Sequence, residues 1–140
     1  MIYEAVRRIQ FCSGHRVHKH ESKCAHPHGH NYVAFIHARA EDLDGIGRVV
    51  DFSVLKEKVG TWIEENWDHG FLYMKGDLDM EIVFKDSGYK NYPMMDNPTA
   101  ENMAKHLVEE VAPIEMKGTG IEVYKVTLWE TENCYALYSK

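Results

Sequence analysis

Apolar and polar residues are mixed at both ends of the chain in a pattern that predicts β-strands. Residues 3–15 and 31–40 mix aromatic and β-branched side chains with charged ones, a composition that favours half-buried strands over helices. Residues 121–130 and 134–139 form a similar pair, joined by a short polar turn. The sequence therefore predicts two strands before the central part of the chain and two after it.

Between the two pairs of strands, apolar residues recur at helical spacing in two segments. The apolar face of the first consists of Leu55, Val59, Trp62 and Ile63. Asp51 or Ser53 can cap the start of this helix. The second helix is introduced by Asn-Pro-Thr-Ala-Glu at 97–101, which predicts Asn97 as the N-cap and Pro98 as the first helical residue.

The order of these elements, ββααββ, predicts an α+β fold with two helices on one face of a four-stranded antiparallel sheet. Residues 73–96 are polar and irregular, and only a short helix over 78–85 is predicted within them. At 140 residues the chain is expected to form a single domain, residues 1–140. Such a sheet leaves unpaired edges, which predicts either homo-oligomerisation or exposed edges that are blunted by charge.

Charge and cysteine content exclude several classes of protein. The chain has 22 acidic and 16 basic residues and no basic cluster, so we expect no nucleic acid partner. No apolar run approaches the roughly 20 residues that span a bilayer, so no membrane segment is expected. The three cysteines show no disulfide framework and the N-terminus carries no apolar signal, which predicts a cytoplasmic protein. Cys12 and Cys134 fall in strands and are expected to be packed thiols.

The strongest chemical signal lies between Cys24 and Asn31, where one glycine separates His28 from His30. In a strand, side chains at i and i+2 leave the same face with Cα atoms about 7 Å apart, so both imidazoles can face one metal ion. A catalytic zinc usually takes three protein ligands. His15 is the best third candidate, because antiparallel pairing of the first two strands would bring it beside this pair. Four histidines are expected to be ordinary surface or core residues: His18, His20, His26 and His37.

Several motifs follow one another along the chain. They are Phe11-x-x-x-His15-Arg16, Cys24-x-x-x-His28-Gly29-His30-Asn31, Val50-Asp51-Phe52, Trp67-Asp68-His69, Asn97-Pro98-Thr99-Ala100-Glu101-Asn102 and Glu130-Thr131. In this combination the chain resembles the 6-pyruvoyltetrahydropterin synthase/6-carboxytetrahydropterin synthase family along nearly its whole length. The resemblance implies the tunnelling fold (T-fold), in which subunits join their sheets into a β-barrel as a trimer or hexamer. It also implies active sites that lie between subunits.

The resemblance further implies a zinc ion, Zn²⁺, and a pterin triphosphate substrate, 7,8-dihydroneopterin triphosphate. The implied zinc ligands are His15, His28 and His30. Cys24 is implied as the base that takes a proton from carbon, with Asp68 and His69 as its partners in a proton relay. An imidazole suits that relay because its ordinary pKa lies near neutral pH.

Glu130 is implied as the group that anchors the pterin, since a carboxylate can accept two parallel hydrogen bonds from the ring. Thr99 is a second substrate-binding candidate, although helix capping explains it as well. Four basic residues are candidates for the triphosphate that the sequence does not rank: Arg16, Lys19, Lys23 and Arg48.

Within the family, the step from the cysteine to the first histidine of the HGH triplet separates two activities. The bacterial 6-carboxy enzymes of queuosine biosynthesis have a four-residue step, as here between Cys24 and His28, and the animal-type 6-pyruvoyl enzymes have a longer one. The resemblance therefore favours a carbon–carbon lyase that forms 6-carboxy-5,6,7,8-tetrahydropterin, acetaldehyde and triphosphate. The alternatives are the 6-pyruvoyl reaction, which keeps the carbon skeleton, and a non-catalytic zinc protein that binds a pterin or purine.

Overall fold

A computed structural model describes residues 1–140, and one six-stranded sheet lies at its centre. The strands are β1 (Tyr3–His15), β2 (His28–Ala40), β3 (Gly70–Met74), β4 (Asn91–Met94), β5 (Glu122–Thr131) and β6 (Cys134–Ser139). They lie in the order β4-β3-β1-β2-β5-β6. All four predicted strands are present, and the predicted fold class is confirmed. β2 begins at His28 rather than at residue 31, so the HGH triplet lies inside the strand.

Three helices accompany the sheet: α1 spans residues 52–66, α2 is Leu78–Phe84 and α3 spans residues 100–115. Both α1 and α3 contain a π-helical turn, at Lys56–Gly60 and Leu107–Val111 respectively. Asp51 caps α1 as predicted, because its side chain accepts a hydrogen bond from the Ser53 amide. None of these helices is long and apolar enough to cross a bilayer.

The segment predicted to be irregular, residues 73–96, contributes to the sheet. β3 runs parallel to β1 and pairs with it only over Ser13–His15, and β4 runs parallel to β3. The sheet is therefore mixed and six-stranded, whereas a purely antiparallel sheet of four strands was expected. These two strands escaped prediction because each is short, and β4 contains Pro93, which is tolerated on an edge strand.

The start of α3 also differs from the prediction. Thr99, and not Asn97, is the N-cap, since its hydroxyl accepts a hydrogen bond from the Asn102 amide at 3.2 Å. The Asn97 side chain instead bonds the main chain of His18 at 2.7 and 3.0 Å. A tertiary contact has replaced the local cap that the sequence pattern indicated.

The hydrophobic core lies between the helices and one face of the sheet. It contains 22 buried residues, among them Phe11, Tyr32, Ile36, Leu107 and Leu128. Along β1, β2 and β5, the residues buried in this core are separated by residues that face away from it. Each large apolar side chain buried in this way contributes about 1.5–3 kcal/mol to folding.

Unpaired backbone groups remain along the outer side of β1 and on the two outermost strands, β4 and β6. β1 pairs with β3 only at its C-terminal end, so the rest of its outer edge, residues 3–12, has no neighbouring strand. β6 has no neighbour on its outer side. Each free edge offers a row of donors and acceptors to another strand.

Candidate metal centre and active site

Three histidines meet where β1 ends and β2 begins. The register places His15 opposite His28 and Ser13 opposite His30, so the three imidazoles lie on the face of the sheet that carries the core. Their ring centroids are 4.6, 4.9 and 5.1 Å apart. The structure therefore brings together the three residues implied as metal ligands, all with ligand atoms within 4.8 Å of one another.

Hydrogen bonds to main-chain carbonyls orient two of these rings. The Nδ1 atom of His15 lies 2.7 Å from the carbonyl oxygen of Pro98, and the Nδ1 atom of His28 lies 2.6 Å from that of His26. Since a carbonyl oxygen only accepts, each Nδ1 must carry the proton and donate it. In the neutral rings both Nε2 atoms are then left with a free lone pair, as metal-binding histidines require.

The Nε2 atoms of His15 and His28 face each other at 3.1 Å. Two lone pairs at this distance repel unless a cation lies between them or one ring becomes protonated. Two nitrogen ligands of a tetrahedral zinc ion, each about 2.0–2.1 Å from the metal, lie about 3.3 Å apart. The Nε2 atom of His30 is buried with no hydrogen-bond partner, which leaves it free as a third ligand. The donor set therefore fits zinc.

The surroundings of His15 and His30 favour the neutral form of these two rings. Burial lowers the pKa of His15 to about 4, and the neighbouring His28 and His30 act in the same direction. Burial also lowers the pKa of His30, again with help from His28. Neutral imidazole is the form that binds a metal ion, so a cation does not have to displace a proton from these two rings near neutral pH.

Glu130 lies beside this centre, with its Oε2 atom 3.8 Å from Nε2 of His30. Burial raises the pKa of its carboxyl group. Thr99 lies close to His15 in space, because the carbonyl of the preceding residue, Pro98, accepts a hydrogen bond from the His15 ring. The Thr99 hydroxyl is already engaged as the cap of α3, and this accounts for the residue without a ligand.

Cys24 lies in a single 3-10 turn, Lys23–Ala25, within the loop that joins β1 to β2. Its side chain is partly buried and its carbonyl oxygen accepts a hydrogen bond from the Val17 amide at 2.9 Å. The loop connects His15 directly to His28, so Cys24 belongs to the same part of the chain as these two candidate metal ligands.

Asp68 and His69 form a hydrogen-bonded pair at the outer edge of β1. The Nδ1 atom of His69 lies 2.7 Å from Oδ2 of Asp68, and Oδ1 of Asp68 accepts a hydrogen bond from the Cys12 amide at 2.9 Å. Although partial burial acts to raise it, these two contacts hold the pKa of Asp68 below its usual value. His69 has a left-handed backbone with φ of 57°, and its amide donates to the Cys12 carbonyl at 2.6 Å.

Within one chain, this pair has no hydrogen bond to the other candidate residues. The His69 side chain is 79% exposed, and no hydrogen bond links it to Cys24, Glu130 or the three histidines. It lies where β1 loses its neighbour, at the start of the free edge. The candidate site is thus divided into a buried half around the histidines and an exposed half around Asp68 and His69.

Two predictions about cysteines are wrong. Cys12 and Cys134 lie in strands as expected, but both are exposed rather than packed. Cys12 points to the face opposite His15, as the alternation along β1 requires, and its thiol donates to Oδ1 of Asn31 at 2.9 Å.

The four basic candidates for the triphosphate fall into two groups. The Arg16 guanidinium is bound to Asp77, and that of Arg48 to Asp44. Lys19 and Lys23 form no side-chain hydrogen bond or ion pair, and they lie in the same loop as Cys24.

Two residues with a place in the site were missed by the sequence analysis. The Pro98 carbonyl orients His15, and the Lys90 ammonium donates to the carbonyls of Asp68 and Glu64 at 2.5 and 2.6 Å. Lys90 thereby fixes the end of α1 that leads into the Asp68–His69 pair. Neither has a local sequence signal, since each acts on a residue distant in the chain.

Comparison with known proteins agrees with this geometry. The family model for 6-pyruvoyl tetrahydropterin synthase matches residues 4–140. The chain belongs to this family. Within it, a 6-carboxy-5,6,7,8-tetrahydropterin synthase from Rickettsia felis is 40% identical over 133 residues, which cover 94% of this chain and 96% of that protein. The protein of the same name from Rickettsia bellii is 38% identical over the same shares of both chains.

The family fold also occurs in solved structures. An uncharacterized protein from Wolinella succinogenes superposes with a TM-score of 0.83, covering 100% of this chain and 99% of that one. The two sequences are 24% identical, so this likeness concerns the fold alone.

Proposed function

We propose that this protein is a zinc-dependent 6-carboxy-5,6,7,8-tetrahydropterin synthase of queuosine biosynthesis. Its reaction would convert 7,8-dihydroneopterin triphosphate and water into 6-carboxytetrahydropterin, acetaldehyde and triphosphate. The observation that carries the proposal is the convergence of three histidine Nε2 atoms beside Glu130. The family membership of the chain agrees with this assignment.

The metal ligands in this proposal are His15, His28 and His30. A zinc ion bound there would act as a Lewis acid toward the hydroxyl groups of the substrate side chain. The carbonyls of Pro98 and His26 would hold the first two rings in place, and so keep the ligand geometry the same before and after substrate binds.

Glu130 would bind the pterin ring and orient the substrate side chain toward the metal ligands. Its carboxylate can accept two parallel hydrogen bonds from the ring. Because the residue is held in β5 and its side chain is largely removed from water, such charge-assisted bonds are stronger than at an exposed position. Thr99 would be a second residue that binds the substrate.

Cys24 would take the proton from carbon as a thiolate, and His69 would receive and return protons while Asp68 orients its ring. The 2.7 Å contact between Asp68 and His69 suits that orienting role. The exposure of His69 and its place at a free strand edge favour a relay that serves the buried half of a neighbouring subunit. We therefore propose a homo-oligomer, a trimer or a hexamer, with active sites between subunits.

Product analysis tests the proposed reaction. The zinc-loaded protein is incubated with 7,8-dihydroneopterin triphosphate, and acetaldehyde and triphosphate are quantified together. Equal amounts of both are expected. Triphosphate without acetaldehyde would identify the 6-pyruvoyl reaction instead, and binding of the pterin without either product would identify a non-catalytic protein.

A further inference from the structure

The loop that carries Cys24, residues 16–27, is held by the part of the chain between β3 and α3. This loop has little regular structure, with one 3-10 turn at Lys23–Ala25. Its length and composition do not by themselves fix where the thiol lies relative to His15 and His28. The fixed points come from two side chains that lie far away in sequence, Asp77 and Asn97.

Asp77 holds the first residue of the loop through a two-pronged ion pair. The Nε and Nη2 atoms of Arg16 donate to the two carboxylate oxygens of Asp77 at 2.6 and 2.5 Å. The Asp77 side chain is 0% exposed and that of Arg16 is 15% exposed, so water competes little for this contact. Removing one partner of such a pair leaves a poorly compensated charge, and the arginine must then move.

Asn97 holds the third residue of the loop through a reciprocal pair of hydrogen bonds. Its Oδ1 atom accepts from the His18 amide at 2.7 Å, and its Nδ2 atom donates to the His18 carbonyl at 3.0 Å. Asn97 is itself fixed, because the Asn102 side chain donates to its carbonyl oxygen at 2.9 Å. The loop is thereby tied to the start of α3.

Between these two anchors lies Val17, whose amide donates to the Cys24 carbonyl at 2.9 Å. The segment from 15 to 18 is therefore fixed on every side, by Pro98 at His15, Asp77 at Arg16 and Asn97 at His18. Through the hydrogen bond from the Val17 amide, this fixed segment also restrains the backbone of Cys24. We propose that Asp77 and Asn97 are positioning residues that hold Cys24 at its working distance from the metal centre.

This inference rests on the proposed function, in which Cys24 is the base. It also gives residues 73–96 a role, since Asp77 lies at the N-terminus of α2 inside that segment. A base must be placed accurately, because a misplacement of about 1 Å can cost about a hundredfold in rate. Neither positioning residue has to touch the substrate.

The test uses Asp77→Asn and Asn97→Ala in the full-length, zinc-loaded protein. Asparagine still caps α2 at position 77 but loses the charge that Arg16 binds. Matched controls are Asp86→Asn, at an exposed residue of the same segment without a side-chain partner, and Asp96→Asn, next to Asn97 and also without a side-chain partner. The readouts are amide hydrogen exchange in residues 16–27, bound zinc, and kcat and KM with 7,8-dihydroneopterin triphosphate.

Both variants are expected to exchange amides in 16–27 about tenfold faster, as the loss of one net hydrogen bond implies. We expect kcat to fall at least about tenfold with KM and bound zinc nearly unchanged, while both controls behave like the wild type. Unchanged exchange, or faster exchange with unchanged kcat, would overturn the inference. If the wild type itself shows no turnover, the proposed function fails, and the exchange result alone decides whether Asp77 and Asn97 order the loop.

Discussion

Mixing two inactive variants tests whether each active site is built from two subunits. Cys24→Ala removes the proposed base and His69→Ala removes the proposed relay, so each variant alone is expected to be inactive. Cys24 lies in the loop between the proposed metal ligands His15 and His28, whereas the His69 side chain is 79% exposed at the free edge of β1. The two groups are therefore expected to meet only across a subunit boundary.

The expected recovery follows from this division of the site. In oligomers assembled at random from equal amounts of both variants, one half of the sites receive an intact Cys24 from one subunit. Independently, one half receive an intact His69 from the neighbour. About one quarter of the wild-type activity should therefore return, whatever the number of subunits in the ring.

The assay is product formation per zinc-loaded chain after coexpression of the two variants. Coexpression of Cys24→Ala with His30→Ala is the matched control. Both residues belong to the half of the site that a single subunit supplies, so every subunit in this mixture lacks one of them. That pair should recover nothing. Recovery in the control, or none in the Cys24 and His69 mixture, would refute the divided site.

Two further predictions concern single residues. Glu130→Gln removes the charge that would bind the pterin, and since hydrogen bonds to charged groups are worth about 1.5–3 kcal/mol, kcat/KM should fall about tenfold to a hundredfold; a loss below threefold, measured by steady-state kinetics, would argue against the anchor. Burial lowers the pKa of His106, whose ring bonds the Tyr92 hydroxyl at 2.8 Å. The unfolded chain therefore binds this proton more readily, and the free energy of unfolding should fall as the pH drops below the ordinary value of 6.5. In urea unfolding, the difference in the free energy of unfolding between the wild type and His106→Gln should become smaller from pH 7 to pH 5. A difference that stays constant with pH would contradict this prediction.

The elements that carry strong periodic patterns could be predicted from the sequence. The long strands are rich in aromatic and β-branched residues, and the pairing of β1 with β2 then places His15 opposite His28. β3 and β4 could not be predicted, because short strands that are parallel to β1 owe their pairing to neighbours distant in sequence. The prediction that Asn97 caps α3 was wrong for a similar reason, since its side chain makes a tertiary contact with His18 instead.

The candidate site shows the same division between local pattern and tertiary contact. The HGH triplet indicates two convergent imidazoles from strand geometry alone. The role of the Pro98 carbonyl in orienting His15, and the bond between Asp77 and Arg16, depend on how loops pack and leave no local signal. The exposure of Cys12 could have been predicted from the sequence. Side chains alternate between the two faces of a strand, so Cys12 and His15 lie on opposite faces of β1.

The zinc content of the purified protein tests the central claim most directly. We predict about one zinc ion per chain for the wild type. A variant of the His26 side chain should bind the same amount, because only the main-chain carbonyl of His26 contacts the centre. His28→Ala and His30→Ala should each lose most of the bound zinc. A wild-type protein that binds no zinc, or a His28→Ala variant that retains it fully, would contradict the account.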